Sequence, residues 1–281
     1  MKIRTRIGIA LMMLFTGFTF AQSEIQGVAH YEFKRVVDMT GFGNNNDIPE
    51  EFKKRIEERM RNANQKKFSL IFNQTESYYN EEKNEDDSGR RRGWWMVVGN
   101  NIEEGPHYRS VKDQLLLQEQ VLYGKKFLIT DSLPRIDWEM TGETKQIGNY
   151  VCFKATAKKT VRNMGRRGFM RPPNREENGK MEGHKEPATK EIDVEAWYTL
   201  QIPVNQGPSD YWGLPGLILE VNAGETSIYC TKIVLNPSEK QDIERPKKGK
   251  EISKKDYEAL VRKKVEEEQQ KEKQFRIEIG H

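Results

Sequence analysis

Hydrophobic and polar positions alternate with period two along most of this chain, and that pattern predicts a β-rich protein. Residues 28–36 put Val28, His30, Glu32 and Lys34 on one face and Ala29, Tyr31 and Phe33 on the other, as a half-buried strand would. Strand-like runs follow at 67–73, 77–80, 94–98, 114–122, 126–130, 136–140, 145–147 and 150–157. Turn signals such as Tyr123-Gly124 and Gly148-Asn149 separate several of them, the spacing of an antiparallel meander. Residues 192–200 alternate again, with Ile192, Val194, Ala196 and Tyr198 on one face, and further strands are expected at 217–221 and 227–235.

Two segments carry helical periodicity instead. Asp47 and Glu50 form a capping-box pattern ahead of Phe52, Ile56 and Met60, which predicts one short helix in the first half of the chain. A second helix is expected over about 250–276. Ser253 caps it, Asp256 completes the box, Ile252 can staple onto Tyr257, and Tyr257, Leu260, Val261 and Val265 make its apolar stripe. Residues 266–273 are nearly all charged, so the helix is expected to dock at its start and protrude at its end.

Residues 158–190 break the strand pattern. Basic residues and prolines dominate there, and so little apolar surface cannot offset the entropy of ordering. A disordered basic insertion at about 160–190, joining two paired strands, is the expectation. Arg162, Arg166, Arg167, Arg171 and Arg175 recur through it with Phe169 and Met170 between them. Such a run is ordinarily a solvated loop. The alternative is a tether to anionic lipid head groups or to acidic loops of a partner, at ~1 kcal/mol per basic residue near a membrane surface.

The first 21 residues read as a signal peptide: Lys2, Arg4 and Arg6, then an uncharged apolar run to Phe20, with Thr19 and Ala21 placed for cleavage. Removing it takes three basic residues from a chain of formal charge +4, leaving +1. That balance does not suit a nucleic-acid binder. The chain is therefore expected to be exported and periplasmic, with residues 22–240 as a single β-rich domain. Its only cysteines, Cys152 and Cys230, fall in strand-like runs. An oxidising compartment permits a bridge, and two separately packed thiols are the other reading.

Chemistry-bearing motifs are sparse. The chain holds no GxSxG, P-loop, GxGxxG or HExxH, and His30, His107, His184 and His281 are scattered, so no catalytic residue, metal site or cofactor is predicted. The densest stretch is Gly213-Leu214-Pro215-Gly216-Leu217-Ile218, preceded by Trp197, Tyr198, Tyr211 and Trp212. Pro215-Gly216 suits the centre of a type II turn, with glycine at φ > 0, so Gly213, Pro215 and Gly216 are read as a structural bend that sets the following strand. A functional reading stands beside it. Trp197, Tyr211, Trp212 and Leu214 would line the mouth of an apolar cavity and bind a lipid, acyl chain or apolar peptide.

This hexapeptide, with residues 145–155 and 195–204, resembles the GLPGLI family of exported bacterial proteins, which carries no established activity. At the level of element pattern the chain is similar to periplasmic lipoprotein carriers of the LolA type, which use a curved antiparallel sheet or half-open β-barrel with helices at its opening. The resemblance implies a mainly β fold and a non-enzymatic envelope carrier of an apolar ligand. The second reading is an accessory protein that docks on an outer-membrane transporter through charged loops and the C-terminal helix.

Overall fold

A computed structural model describes residues 25–35, 51, 65–82, 106–162, 189–239 and 241–279. The helix expected over 47–60, the strand at 94–98 and the signal segment lie outside the described residues, apart from Glu51. The described fold is mainly β, as the alternation predicts. Its strands are β1 Gly27–Arg35, β2 Gln65–Phe72, β3 Glu76–Glu81, β4 His107–Ser110, β5 Leu115–Leu122, β6 Lys125–Ser132, β7 Glu139–Ile147, β8 Tyr150–Arg162, β9 Thr189–Thr199, β10 Leu217–Ala223, β11 Thr226–Leu235 and β12 Lys250–Ile252. Helix α1, Lys254–Ile279, follows.

The strands form one open sheet in the order β12-β6-β5-β4-β3-β2-β1-β11-β10-β9-β8-β7. Two meanders therefore meet at a seam. Strands β1 to β6 step outward in one direction, β7 to β11 step inward from the far edge, and β11 pairs antiparallel with β1. Only residues 133–138 join β6 to β7, ten positions away in the sheet. Ten flat strand spacings would span about 48 Å, while this link reaches about 25 Å at most. The sheet must curl, and it does. Tyr31 on β1 donates its hydroxyl to the Ile218 carbonyl on β10 (2.7 Å), past the intervening β11. The curved, half-open sheet expected from the sequence is the fold.

Local pairing departs from expectation in three places. The runs expected at 136–140 and 145–147 are one strand, β7, with a bulge against β8 between Met140 and Thr144. Strand β4 was not expected, since His-Tyr-Arg-Ser carries little β signal; nor was β12, which pairs parallel with β6. Strands β8 and β9 pair out to Arg162 and Thr189, so both run into the insertion, and residues 163–188 lie outside the described residues.

Cys152 and Cys230 are free thiols, the second of the two readings the sequence left open. Cys152 lies on β8 and Cys230 on β11, with β9 and β10 between them.

The helix starts as its sequence dictates. Asp256 N–H donates to Ser253 Oγ (3.0 Å), and the Ser253 hydroxyl donates to the Asp256 carboxylate (2.7 Å). Tyr257 is buried edge-on against Phe127, their centroids 5.6 Å apart, in a cluster with Leu122 and Ile129 that Ile252, Leu260 and Val261 flank. These contacts come from the first two turns of α1. Replacing Tyr257 by Ala should cost about 3 kcal/mol of docking energy. Hydrogen exchange would then report lost protection across α1 with the β1–β11 seam unchanged, and equal loss in both would refute local docking.

Candidate functional site

The site is built by the segment between β9 and β10, residues 200–216, which packs into the main core and bonds to β3, β4 and β8 as a plug. Ile202, Val204 and Leu214 are buried in the main core, and the Ile202 carbonyl accepts from both Val204 N–H (2.8 Å) and Leu217 N–H (2.9 Å). Ile218 N–H donates to the Gln206 carbonyl (3.1 Å), which holds the plug against the first turn of β10. A Cβ on Gly207 would meet Ile218 at 2.8 Å, so the plug lies directly on the sheet.

The two hexapeptide glycines have different jobs from those expected. Gly213 takes the left-handed conformation (φ 93°), whereas Gly216 is not a positive-φ residue. Its need is space: a Cβ at Gly216 would stand 2.0 Å from the Thr199 carbonyl oxygen. The type II turn expected at Pro215-Gly216 is thus replaced by a close backbone crossing between β10 and the end of β9. Pro215 is exposed beside it.

The four aromatic and apolar residues expected to share one rim do not. Tyr211, Leu214 and Trp197 are buried in the main core. Trp212 packs in a separate cluster with Leu116 and Leu133, and its indole N–H donates to the Pro134 carbonyl (2.7 Å). Trp138 returns the tie by donating to the Trp212 carbonyl (2.8 Å), so the β6–β7 link and the plug are bonded to each other. Trp197 is paired across the strands with Lys154 and Glu220. Lys145 Nζ sits 4.2 Å and Lys154 Nζ 5.8 Å from its ring, while Glu195 accepts its N–H at 2.8 Å. These side chains are spent on packing. A cavity of about 310 Å³ lies elsewhere, beside Gln26, Asn73, Glu76 and Asp242.

Beneath the plug sits a set of polar side chains that sequence reasoning missed. His107 and Arg109 alternate on β4, so both face inward, opposite Tyr79 and Ser77 of β3. Burial of a full guanidinium is costly unless it is bonded. Arg109 is 2% exposed and donates to two plug carbonyls, Gly207 (3.3 Å) and Ser209. The Ser77 hydroxyl donates to Gln206 Oε1 (2.8 Å). Asp210 bonds Lys159 of β8 at 2.6 Å, and that ammonium lies 4.9 Å from the Tyr211 ring centroid. One plug thereby ties β3, β4 and β8 together. Among the described residues, no group of three or more His, Cys, Asp or Glu could hold a metal.

Burial lowers the His107 pKa to about 4, with Arg109 adding to the effect and Asp210 opposing it. Burial also pulls Arg109 down, to about 10. At Asp210 burial works to raise the pKa, but Lys159, His107 and Lys254 outweigh it and hold the carboxyl below its ordinary value. Near neutral pH the chamber therefore contains Arg109⁺, Lys159⁺, Asp210⁻ and a neutral His107.

Residues 138–220 match the model of a family described as "Protein of unknown function (Porph_ging)". The match runs from Trp138 through β7, β8, β9 and the plug into β10. Two solved structures, of PNGF-II in C2 and in P21 space groups, are similar at TM-scores of 0.49 and 0.48, each 14% identical and each covering 85% of this chain. This chain spans about a third of theirs, 33%. No curated protein matches.

Two outcomes test this geometry. Gly216→Ala should destabilise the fold by about 3 kcal/mol through overpacking. Gly213→Ala, which meets nothing closer than Trp138 Nε1 at 3.9 Å, should cost only its backbone strain of about 1–2 kcal/mol. Urea denaturation of both variants would reverse the assignment of their roles if the order were inverted. The depressed His107 pKa gives a separate signature. Its stabilising contribution is complete above the unfolded imidazole value of ~6.5 and is lost as pH falls towards about 4, a change on the order of 3 kcal/mol. The Asp210 contribution is lost only at lower pH, as the carboxyl protonates below its ordinary value. Unfolding free energies measured from pH 7 to 4 should slope upward with pH, and His107→Gln should flatten that slope.

Proposed function

We propose that this is a non-enzymatic interaction protein of the cell envelope that works through its outer surface and C-terminal helix rather than through an interior apolar cavity. The observation that carries this reading is the plug. Residues 200–216 pack into the core that a carrier would keep open, and Trp197, Tyr211, Trp212 and Leu214 are all buried. An apolar carrier would have to expel the plug first, breaking the ties from Arg109, Ser77 and Lys159.

The surface left for partners is extended and charged. Helix α1 has 26 residues, about 39 Å of helix, and the side chains described as packing on the sheet, Tyr257, Leu260 and Val261, lie near its start. The sequence from Glu266 to Lys273 carries three glutamates, two glutamines and then Lys-Glu-Lys, a charged stretch that suits a partner with charged loops of its own, such as an outer-membrane transporter. Arg162 ends β8 opposite Thr189, at the base of the basic insertion. Arg166, Arg167, Arg171 and Arg175 lie outside the described residues; their spacing supports a contact with anionic head groups. The signal-like first 21 residues and the GLPGLI resemblance both support export to the periplasm.

The test separates the two readings. Chains ending at Lys264 should fold with an unchanged near-UV spectrum, yet lose crosslinks to outer-membrane proteins in envelope preparations. Native mass spectrometry of the intact protein should find no bound lipid. A lipid adduct that Trp212→Ala releases would establish the carrier instead, and crosslinks that survive truncation would remove the helix from the proposal.

A further inference from the structure

The chamber under the plug has an imbalance that its protein partners leave standing. Three buried nitrogen atoms there have no hydrogen-bond partner among the described residues: Arg109 Nε, Gln206 Nε2 and His107 Nδ1. Their residues are 2%, 0% and 4% exposed. Guanidinium and amide nitrogens can only donate, and a neutral imidazole can present Nδ1–H. Leaving such donors unpaired in a buried site is costly, so each asks for an acceptor.

The three residues adjoin one another. His107 and Arg109 are two residues apart on β4 and so share its inner face. Ser77 stands directly across from Arg109 and bonds the Gln206 side chain, while Arg109 bonds the carbonyl of the next residue, Gly207. The charges do not balance either. Both described hydrogen bonds of Arg109 go to neutral carbonyls, and Asp210 is already bonded to Lys159 at 2.6 Å, with Lys254 close enough to act on it as well.

We propose that this space holds one small inorganic anion of halide size, which accepts from Arg109 Nε–H, Gln206 Nε2–H and His107 Nδ1–H. A water molecule would satisfy the donors but would leave the excess positive charge buried. The donors are one N–H each from Arg109 and His107 and the amide of Gln206, a set that suits one small acceptor. The anion locks the plug: it bridges β4 and residues 206–207 and compensates the cation that holds both. This site is independent of the docking role proposed above, and either can fail without the other.

Bromide is the probe. Crystals of the wild-type protein grown in sodium bromide should give an anomalous peak within hydrogen-bonding reach of Arg109 Nε and Gln206 Nε2. In solution, replacing methanesulfonate by bromide at constant ionic strength should raise the Tm by several degrees, as binding to the native state alone requires. Gln206→Glu places a carboxylate beside Arg109 and should abolish both signals. No anomalous peak in the chamber, water at that position, or bromide peaks only on the surface would overturn the proposal. So would a bromide-dependent Tm shift that persists in Gln206→Glu. Should that variant not fold, the wild-type anomalous map decides alone.

Discussion

Six residues between β6 and β7 govern the shape of this protein. They start next to one edge of the sheet and end at the other, and a chain that short can connect them only if the sheet rolls up. Rolling creates a concave side that must be filled. The link supplies part of the filling through Leu133, Ile136 and Trp138, and the plug supplies the rest. The two indoles that join link to plug, Trp138 and Trp212, each donate to a backbone carbonyl of the other segment. The crossing of these two irregular segments is therefore what the regular strands enclose.

Filling a concavity with loop rather than side chain alone carries a polar burden. Loop backbone must be hydrogen-bonded when buried. Arg109 answers it, since its guanidinium satisfies the carbonyls of Gly207 and Ser209, which no strand could reach. The same choice commits the protein to a charge in its interior. Breaking one side of such an arrangement leaves that charge without partners, which is why buried ionic sets enforce one conformation more strictly than apolar packing does.

Much of the fold was legible in the sequence because alternation reports the side facing the core directly. Ala29 and Tyr31 against His30 and Glu32, or Val194, Ala196 and Tyr198 on β9, fall on the faces their pattern predicts. The helix start was equally plain, since Ser253, Asp256, Ile252 and Tyr257 act through local rules. What was hidden depended on contacts distant in sequence. Gly216 looks like a turn glycine until Thr199 is placed beside it. Trp197 and Trp212 look like one rim until the sheet sets one against Lys145 and Lys154 and the other against Leu116. His107 and Arg109 gave one usable signal, their alternation with Tyr108, but polar residues at inward positions read as surface under any hydrophobicity rule.

The seam between the two meanders has a consequence for how the molecule is assembled. Gly27 at the start of β1 is hydrogen-bonded in register with Leu235 at the end of β11, and the other pairs of that ladder span nearly the same stretch of chain. The first strand must wait for almost the whole polypeptide before its second neighbour exists. A topology so dominated by distant pairings closes slowly, and until it does the inner edges of both halves stand open. Such a chain finishes folding after synthesis, in whatever compartment receives it, and its most vulnerable moment is the interval before β1 meets β11.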